Sequence, residues 1–151
     1  MIYICHRLPI AIVLLSTSIL AGCQTLGGDA SLTSYAPSDI SQPAAESIAG
    51  DMVSRLAEQF GPGSATIAVK QDGSLFGDAL GAALKGWGYA VVTDQKTDAT
   101  VRVVPLSYVI SPFEDQILAQ LSSDSFSIGR AYTLSAAGAV PASPISIMSR
   151  D

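Results

Sequence analysis

The chain has 151 residues, the length of one ordinary domain, which argues against a second large domain. Eight Lys and Arg against thirteen Asp and Glu give a formal net charge of -5, so a basic face that grips nucleic acid is not expected. Hydrophobic residues make up 48% and charged residues only 14% of the chain, and this balance indicates an apolar segment that raises the average. Two cysteines, Cys5 and Cys23, are too few for a disulfide-stapled scaffold.

The amino terminus has the pattern of a signal peptide. Residues 1–7 end in His6 and Arg7 and contain no acid, and residues 8–20 are mostly apolar. As a helix, this apolar run reaches roughly 20 Å, short of the roughly 30 Å of hydrocarbon in a bilayer. We therefore expect residues 1–22 to be removed.

The end of the apolar run resembles the bacterial lipobox. Leu20 is followed by the small residues Ala21 and Gly22 and by Cys23, whose thiol accepts diacylglycerol. The resemblance implies cleavage before Cys23, which then carries N-acyl and S-diacylglycerol lipid and no other cofactor. Gln24 replaces the Asp that commonly retains lipoproteins at the inner membrane, so we expect an outer-membrane anchor that faces the periplasm. Two or three acyl chains make such an anchor effectively permanent.

The alternative to a lipoprotein signal is an ordinary secretory signal in which Cys23 is incidental.

After cleavage, residues 23–42 are expected to form the acylated cysteine and a flexible tether. The segment is rich in Gly, Ser, Thr, Asp and Ala and has no helical or strand period. A tether of this length spans roughly 25 Å. Leu32 and Tyr35 within it are able to dock on a partner.

A folded domain is predicted over residues 43–135. Its first helix, over residues 43–60, begins at Pro43 and ends before a Gly-Pro-Gly stop. A second helix over residues 75–85 contains Gly77 and Gly81, which either mark a close approach to a neighbouring element or are simply tolerated. Five strands are predicted, over residues 64–70, 89–93, 99–110, 116–121 and 126–134.

These elements predict an α+β fold, with two helices packed on one face of a mostly antiparallel four- to five-stranded sheet. Pro105 is expected to bend the third strand or to lie at an edge, and Ser111-Pro112 is expected to end it. Residues 136–151 are expected to form a mobile tail. Its apolar stretch, residues 145–148, is a candidate for a strand donated to another chain.

The mature chain offers little for catalysis. His6, the single histidine, lies in the discarded segment, and the remaining cysteine is used by lipid, which excludes Ser-His-Asp and Cys-His catalysis and nearly all zinc and iron sites. The acids Glu46, Glu58 and Glu114 are interpreted as surface charges rather than as a glycosidase pair. The sequence therefore predicts no enzyme, no metal and no small-molecule substrate.

Two further patterns are weak. Asp94 and Asp98 lack the regular spacing of a calcium loop and are interpreted as a turn. Gly86-Trp87-Gly88 follows a helix and precedes a strand, the reverse of the order in dinucleotide sites. What remains is surface for partners, because a sheet edge is a template for another strand. Five aromatic residues are candidates either for interface anchors or for the core, namely Trp87, Tyr89, Tyr108, Phe113 and Tyr132.

Several phrases of the sequence resemble the TrbH family of conjugal transfer lipoproteins. They are residues 48–98, VVPLSYVISPFEDQILAQLS, IGRAYTLSAAGAVPASPISIM and the LAGCQT lipobox, and together they cover about residues 45–150. The resemblance implies a structural subunit of the mating-pair formation apparatus, a type IV secretion system, with other Trb envelope subunits as partners and no direct binding of nucleic acid. Cys23 is the one functional residue that it carries over.

The same domain suits a different binding role. A periplasmic lipoprotein that binds peptidoglycan or activates a cell-wall enzyme is the alternative to a transfer subunit. Neither role requires catalytic residues, so the sequence leaves both open.

Overall fold

A computed structural model describes residues 32–93 and 103–150 of the chain. The predicted signal peptide, the lipobox with Cys23, the start of the tether and the Asp94 to Asp98 turn lie outside the described residues. The described part contains two helices and seven strands. In chain order these are α1 (Gln42–Phe60), β1 (Thr66–Val69), α2 (Leu75–Gly86), β2 (Ala90–Val92), β3 (Val103–Phe113), β4 (Gln116–Ser122), β5 (Phe126–Ser135), β6 (Gly138–Pro141) and β7 (Ser146–Ser149).

Both helices begin at a serine cap. Ser41 precedes α1, where its side chain accepts from the N–H of Ala44, and Ser74 caps α2 by accepting from the N–H of Gly77 at 3.1 Å. α1 ends at Gly61, whose φ of 77° is readily adopted by glycine. Neither helix in the described ranges is long and apolar enough to cross a bilayer.

The strands form one mixed sheet in the order β2-β1-β3-β4-β5-β6, with β7 pairing the first half of β5 and β6 its second half. β1 is parallel to β2 and β3, and the other pairs are antiparallel. α2 supplies the crossover that two parallel strands require. The predicted α+β class is confirmed, and the sheet has more strands than expected.

The helices cover one face of the sheet, and the core lies between the two layers. Alternate strand residues point into it, because successive side chains of a strand face opposite sides. Its fully buried large side chains are Ile48, Met52 and Leu56 of α1, Phe76, Leu80 and Leu84 of α2, and Leu106, Tyr108, Ile110, Leu121, Ile128 and Tyr132 of the sheet.

The expected break at Ser111-Pro112 is wrong, since β3 runs on to its end beyond Pro112. The N–H of Ile110 donates to the carbonyl of Tyr35 at 2.9 Å, so even-numbered residues of β3 point their amides to that side. Pro112 lies beyond this last bond, where no ladder partner needs an N–H. The nitrogen of Pro105 points to the opposite side, toward β4. The pairing with β4 ends at Ser107 and Ser122, so no β4 residue lies opposite Pro105, which occupies an edge position on that side, as expected.

The last part of the predicted tether belongs to the domain, contrary to expectation. Tyr35 forms a parallel bridge with Val109, held by two backbone hydrogen bonds of 2.9 Å. The N–H of Ala36 donates to the Asp72 carboxylate at 2.8 Å, and Ile40 is buried. These few anchors are hidden in a segment of small and polar residues, which is why its composition indicated a tether.

The expected mobile tail is also replaced by structure. Its residues form β6 and β7, which pair antiparallel with the free edge of β5. Ile147 pairs with Ile128, and the N–H of Arg150 donates to the carbonyl of Ser125 at 2.9 Å. The stretch proposed as a donated strand is thus a strand of its own sheet.

Candidate interaction surface

The sheet face opposite the helices carries no charged side chain on the described strands. It is built by alternate residues of five strands, placed side by side by the register. Its members are Ser107, Val109, Ser111 and Phe113 of β3, Gln116, Leu118, Gln120 and Ser122 of β4, Ser127, Gly129, Ala131 and Thr133 of β5, Val140 of β6, and Ser146 and Met148 of β7. We call this set the open face.

Large apolar side chains stand exposed on the open face. Leu118 is 46% exposed, Met148 62% and Phe113 66%, and Val109 and Val140 are also exposed. Solvated sheet faces usually carry polar and charged residues in alternation with the core. A contiguous apolar patch on a small domain typically marks a contact surface.

A groove of about 270 Å³ lies over β4 and β5 on the open face, and its lining includes Arg130 and the residues Ser143 and Pro144 between β6 and β7. Leu118 and Met148 line it together with the small residues Gly129 and Ala131. Leu118 is paired with Ala131 in the strand register, so a projecting side chain stands next to a position with little side chain. The open face therefore has relief into which an apolar side chain fits.

Three polar side chains of the open face, those of Gln120, Ser122 and Ser127, are hydrogen-bonded to one another. The Gln120 amide donates to the Ser127 hydroxyl at 2.7 Å and to the Ser122 hydroxyl at 3.3 Å. The Ser107 hydroxyl donates to the carbonyl of Ser122 at 3.3 Å. Polar groups that already have hydrogen-bond partners within the protein lose little free energy when water is removed from them. This part of the open face therefore tolerates burial.

Charged groups of the strands turn toward the helices or lie at the strand ends. Arg130 of β5 contacts the Asp51 carboxylate of α1, with Nη1 2.9 Å from Oδ2. Glu114 and Asp115 occupy the turn between β3 and β4, and Asp124 the turn between β4 and β5. The acidic character of the chain is thus kept off the open face.

Two tyrosine–carboxylate pairs tie the layers together. The hydroxyl of Tyr132 donates to Asp51 at 2.6 Å, and that of Tyr108 donates to Asp72 at 2.5 Å. Burial, and then the hydrogen bond to Asp51, raises the pKa of Tyr132. Burial, with the bond to Asp72, raises the pKa of Tyr108 to about 12. Both hydroxyls therefore stay protonated donors near neutral pH.

Asp72 is the centre of the second pair. Burial alone would raise the pKa of Asp72, but hydrogen bonds from Ser74, Tyr108 and Ala36 outweigh it and lower the pKa. Its oxygens are taken by these donors, so the carboxylate is a structural acceptor. Sequence reasoning missed both pairs because their members lie 81 and 36 residues apart with no spacing that links them.

The carboxylates considered for chemistry do not come together. Glu46 and Glu58 lie on α1 about 18 Å apart along its axis, since a helix rises 1.5 Å per residue, and Glu114 lies in a turn of the sheet. No cluster of three metal-ligating side chains occurs in residues 32–93 and 103–150.

The aromatic residues divide between core and surface. Tyr89, Tyr108 and Tyr132 are buried, whereas Trp87 and Phe113 are exposed. Trp87 follows the last turn of α2, and Phe113 stands on the open face. Gly86-Trp87-Gly88 therefore closes a helix, as its sequence context indicated.

A sequence signal for the open face does exist. Between Val103 and Ser149 the charged residues are Glu114, Asp115, Asp124 and Arg130 alone. Three of them stand in turns and Arg130 faces α1, so the strand residues on the other side of the sheet carry no charge. Only the register shows that the uncharged residues form one surface.

The fold defines a small α+β domain with one face of its sheet covered by helices and the other left open and uncharged. The chain belongs to the TrbH family: the family model described as Conjugal transfer protein TrbH matches residues 26–151. It is 54% identical over 140 residues to a protein named Probable conjugal transfer protein TrbH from Sinorhizobium fredii (strain NBRC 101917 / NGR234), a match that covers 90% of this chain and 94% of that protein. No solved structure matches the chain. The resemblance seen in the sequence is confirmed.

Proposed function

We propose that this chain is a structural lipoprotein subunit of a conjugative type IV secretion apparatus and supports plasmid transfer through protein–protein contacts. Lipid on Cys23 would anchor it in the outer membrane, facing the periplasm. Family membership supports the part in transfer. The order of apolar run, small residues and Cys23 supports the anchor.

The open face is the observation that carries the contact role. The centres of protein interfaces are depleted in charged residues and hold exposed apolar groups, as this face does. The side chains of Gln120, Ser122 and Ser127 on it bond to one another, which lowers the cost of burying them. Leu118, in the middle strands of the sheet, is the position best placed to anchor a partner.

Catalysis has no comparable support. With residues 1–22 removed, the chain contains no histidine, and its remaining cysteine is the proposed lipid site. Two carboxylates with tertiary partners, the half-buried Asp51 and the exposed Asp72, accept hydrogen bonds within the domain. We therefore propose contact with the channel's envelope subunits, including secretin-like or ring-forming proteins of its core complex, as the activity.

The lipid anchor is tested by labelling cells with radioactive palmitate. The wild-type chain is expected to incorporate label, and Cys23→Ser is expected to lose it. Cys5→Ser is the matched control, because this cysteine lies in the removed segment and should leave labelling unchanged. Equal label in the wild type and Cys23→Ser would contradict the anchor.

The transfer role is tested by deletion and complementation. Deletion should lower plasmid transfer, and the wild-type gene should restore it. Leu118→Glu should complement poorly, whereas Leu75→Glu, at a similarly exposed leucine of α2, should complement well. Affinity capture should recover other Trb subunits. Normal transfer after deletion without captured subunits would contradict the proposal, and binding to purified peptidoglycan sacculi would then favour the cell-wall role.

A further inference from the structure

We infer that the open face binds the open face of a second copy of this chain, so that two copies form an isologous pair. The inference deepens the proposed function and rests on it, because it names the partner at the proposed contact surface. Contacts with other envelope subunits would then use the ends of the strands. The reasons are the charge, the relief and the size of the face.

Charge favours the open face over the rest of the surface as the place where two copies meet. The chain has a formal net charge of -5, so two copies repel each other in most orientations. Meeting by the open face places the two helix layers on the outside. The acids of those layers, such as Glu46, Glu58 and Asp78, then lie at the greatest separation that a contact allows. No described side chain of the face itself opposes the approach.

The relief of the open face is complementary to itself. Leu118 projects beside the groove that Gly129 and Ala131 leave open. In an isologous contact both copies use the same surface. If residue i of the first copy contacts residue j of the second, then residue j of the first copy also contacts residue i of the second. Leu118 of each copy can therefore enter the groove of the other. Face-to-face sheets pack about 10 Å apart with interdigitating side chains, which this pattern of large and small residues permits.

The size of the face suits a weak pair strengthened by anchoring. Four strands about 4.8 Å apart and seven residues long give a flat area of roughly 450 Å², and the side chains standing on it add accessible surface. This approaches the roughly 600 Å² per copy of a small specific interface. The proposed lipid at Cys23 confines copies to one membrane, which raises their effective concentration.

The charges at the two ends of the face select the orientation. Glu114 and Asp115 mark one end. Arg150 lies at the other, where its Nη1 is 3.3 Å from the carbonyl of Ser123, and it offsets Asp124 there. If the strands of the two copies run antiparallel, the end with Glu114 and Asp115 of one copy faces the end with Arg150 of the other. If the strands run parallel, the two ends with Glu114 and Asp115 face and repel each other. The antiparallel arrangement is therefore the one inferred.

Disulfide trapping of the full chain in its host envelope tests the pair. Leu118→Cys and Ala131→Cys chains, expressed together with tags of different size, should give a mixed two-chain band after mild oxidation. The yield should be at least about tenfold more than for Leu75→Cys with Ala131→Cys, since Leu75 at 48% exposure matches Leu118 at 46%. The unsubstituted chain controls for its own cysteines. Equal or absent bands would overturn the inference. A Leu118→Cys adduct with a different protein would overturn it too, while supporting the proposed contact role.

A mass measurement of the lipid-bearing chain in detergent gives a second readout. The wild type should sediment as two chains, Leu118→Glu as one, and Leu75→Glu as two, with unchanged circular dichroism in all three. A single-chain mass for the wild type, both in detergent and in reconstituted vesicles, would overturn the pair. Loss of transfer on deletion would leave the proposed function standing in that case.

Charge reversal tests the orientation. Arg150→Glu should weaken the pair several-fold, and adding Asp115→Arg in the same chain should restore it, since each contact then has its signs exchanged. Arg150→Glu combined with Asp78→Arg, which makes the same change in net charge on α2, is the matched control and should not restore it. Failure of the Asp115 change to rescue would overturn the antiparallel pair.

Discussion

The carboxylate of Asp51 in α1 accepts a hydrogen bond from the hydroxyl of Tyr132 in β5, 2.6 Å away and 81 residues later in the chain. The same oxygen, Oδ2, lies 2.9 Å from Nη1 of Arg130. Tyr132 is fully buried, so water cannot replace Asp51 as the acceptor for its hydroxyl. The relationship fixes the position of α1 on the sheet.

Removal of this acceptor should destabilise the domain. Asp51→Ala leaves a buried hydroxyl and a largely buried guanidinium without their partner, which costs about 2–3 kcal/mol in the free energy of unfolding. Urea unfolding measures the loss. Glu58→Ala on the same helix breaks a more exposed pair with Arg55 and should change stability by less than about 1 kcal/mol. Equal effects of the two changes would contradict the role given to Asp51.

The two glycines of α2 should respond in opposite directions to alanine. A Cβ at position 77 would meet the Tyr108 hydroxyl, which is held by Asp72, so Gly77→Ala should cost about 1–3 kcal/mol. A Cβ at Gly81 meets only the Gln71 amide at 3.6 Å, an ordinary contact. Gly81→Ala should therefore stabilise by up to about 1 kcal/mol through helix propensity. Thermal unfolding of both variants checks the difference, and a neutral Gly77→Ala would count against the close approach.

Acid should release the bonds at Asp72. The folded state lowers the pKa of this carboxyl, so it binds a proton less tightly than the unfolded chain does. Its stabilisation is then present above the unfolded value of about 3.9 and is lost as pH falls through the folded value. Asp72→Asn should lower stability by about 1 kcal/mol at pH 7, allowing for partial exposure, and by less near pH 2.

The control for this pH dependence is Asp39→Asn, at an exposed carboxyl in the segment before α1. It should leave the free energy of unfolding nearly unchanged at both pH values. A difference between Asp72→Asn and the wild type that stays constant from pH 7 to pH 2 would contradict the lowered pKa.

Truncation before Ser146 should expose the first half of the β5 edge. β7 covers residues from Phe126 to Gly129, and an uncovered edge is a template for aggregation. The shortened chain should lose about 1–2 kcal/mol of stability and aggregate faster, as unfolding and light scattering will show. Truncation after Ser149, which keeps β7, is the matched control. A truncated chain as stable and monodisperse as the control would mean that β7 adds nothing.

Local patterns predicted the helices and the central strands well. Pro43 and the Gly-Pro-Gly stop marked the ends of α1, and the alternation of Ile117, Ala119 and Leu121 indicated a strand with one buried face. β7 could not be predicted in the same way, because all of its residues are exposed and no alternation marks it. Pro112 looked like a strand breaker, since the sequence does not show which way its nitrogen points.

The candidate surface depends on information that a single sequence lacks. Leu118 and Met148 come from different strands and meet on one face only through the register of β4, β5 and β7. The scarcity of charge after Val103 was readable, but not which side of each strand the helices cover. The pairing of Asp51 with Tyr132 is likewise a product of tertiary packing.

The bridge between Tyr35 and Val109 has a mechanical consequence. Among the described residues, Ser34 and Tyr35 bond to β3 before the chain enters α1, so a pull from the amino-terminal side reaches the sheet before the helices. Tyr35 pairs in parallel with β3, so tension along the strand loads its two backbone hydrogen bonds together. If Cys23 carries the proposed lipid, force on the anchor would pass into the sheet before it reaches α1 and α2.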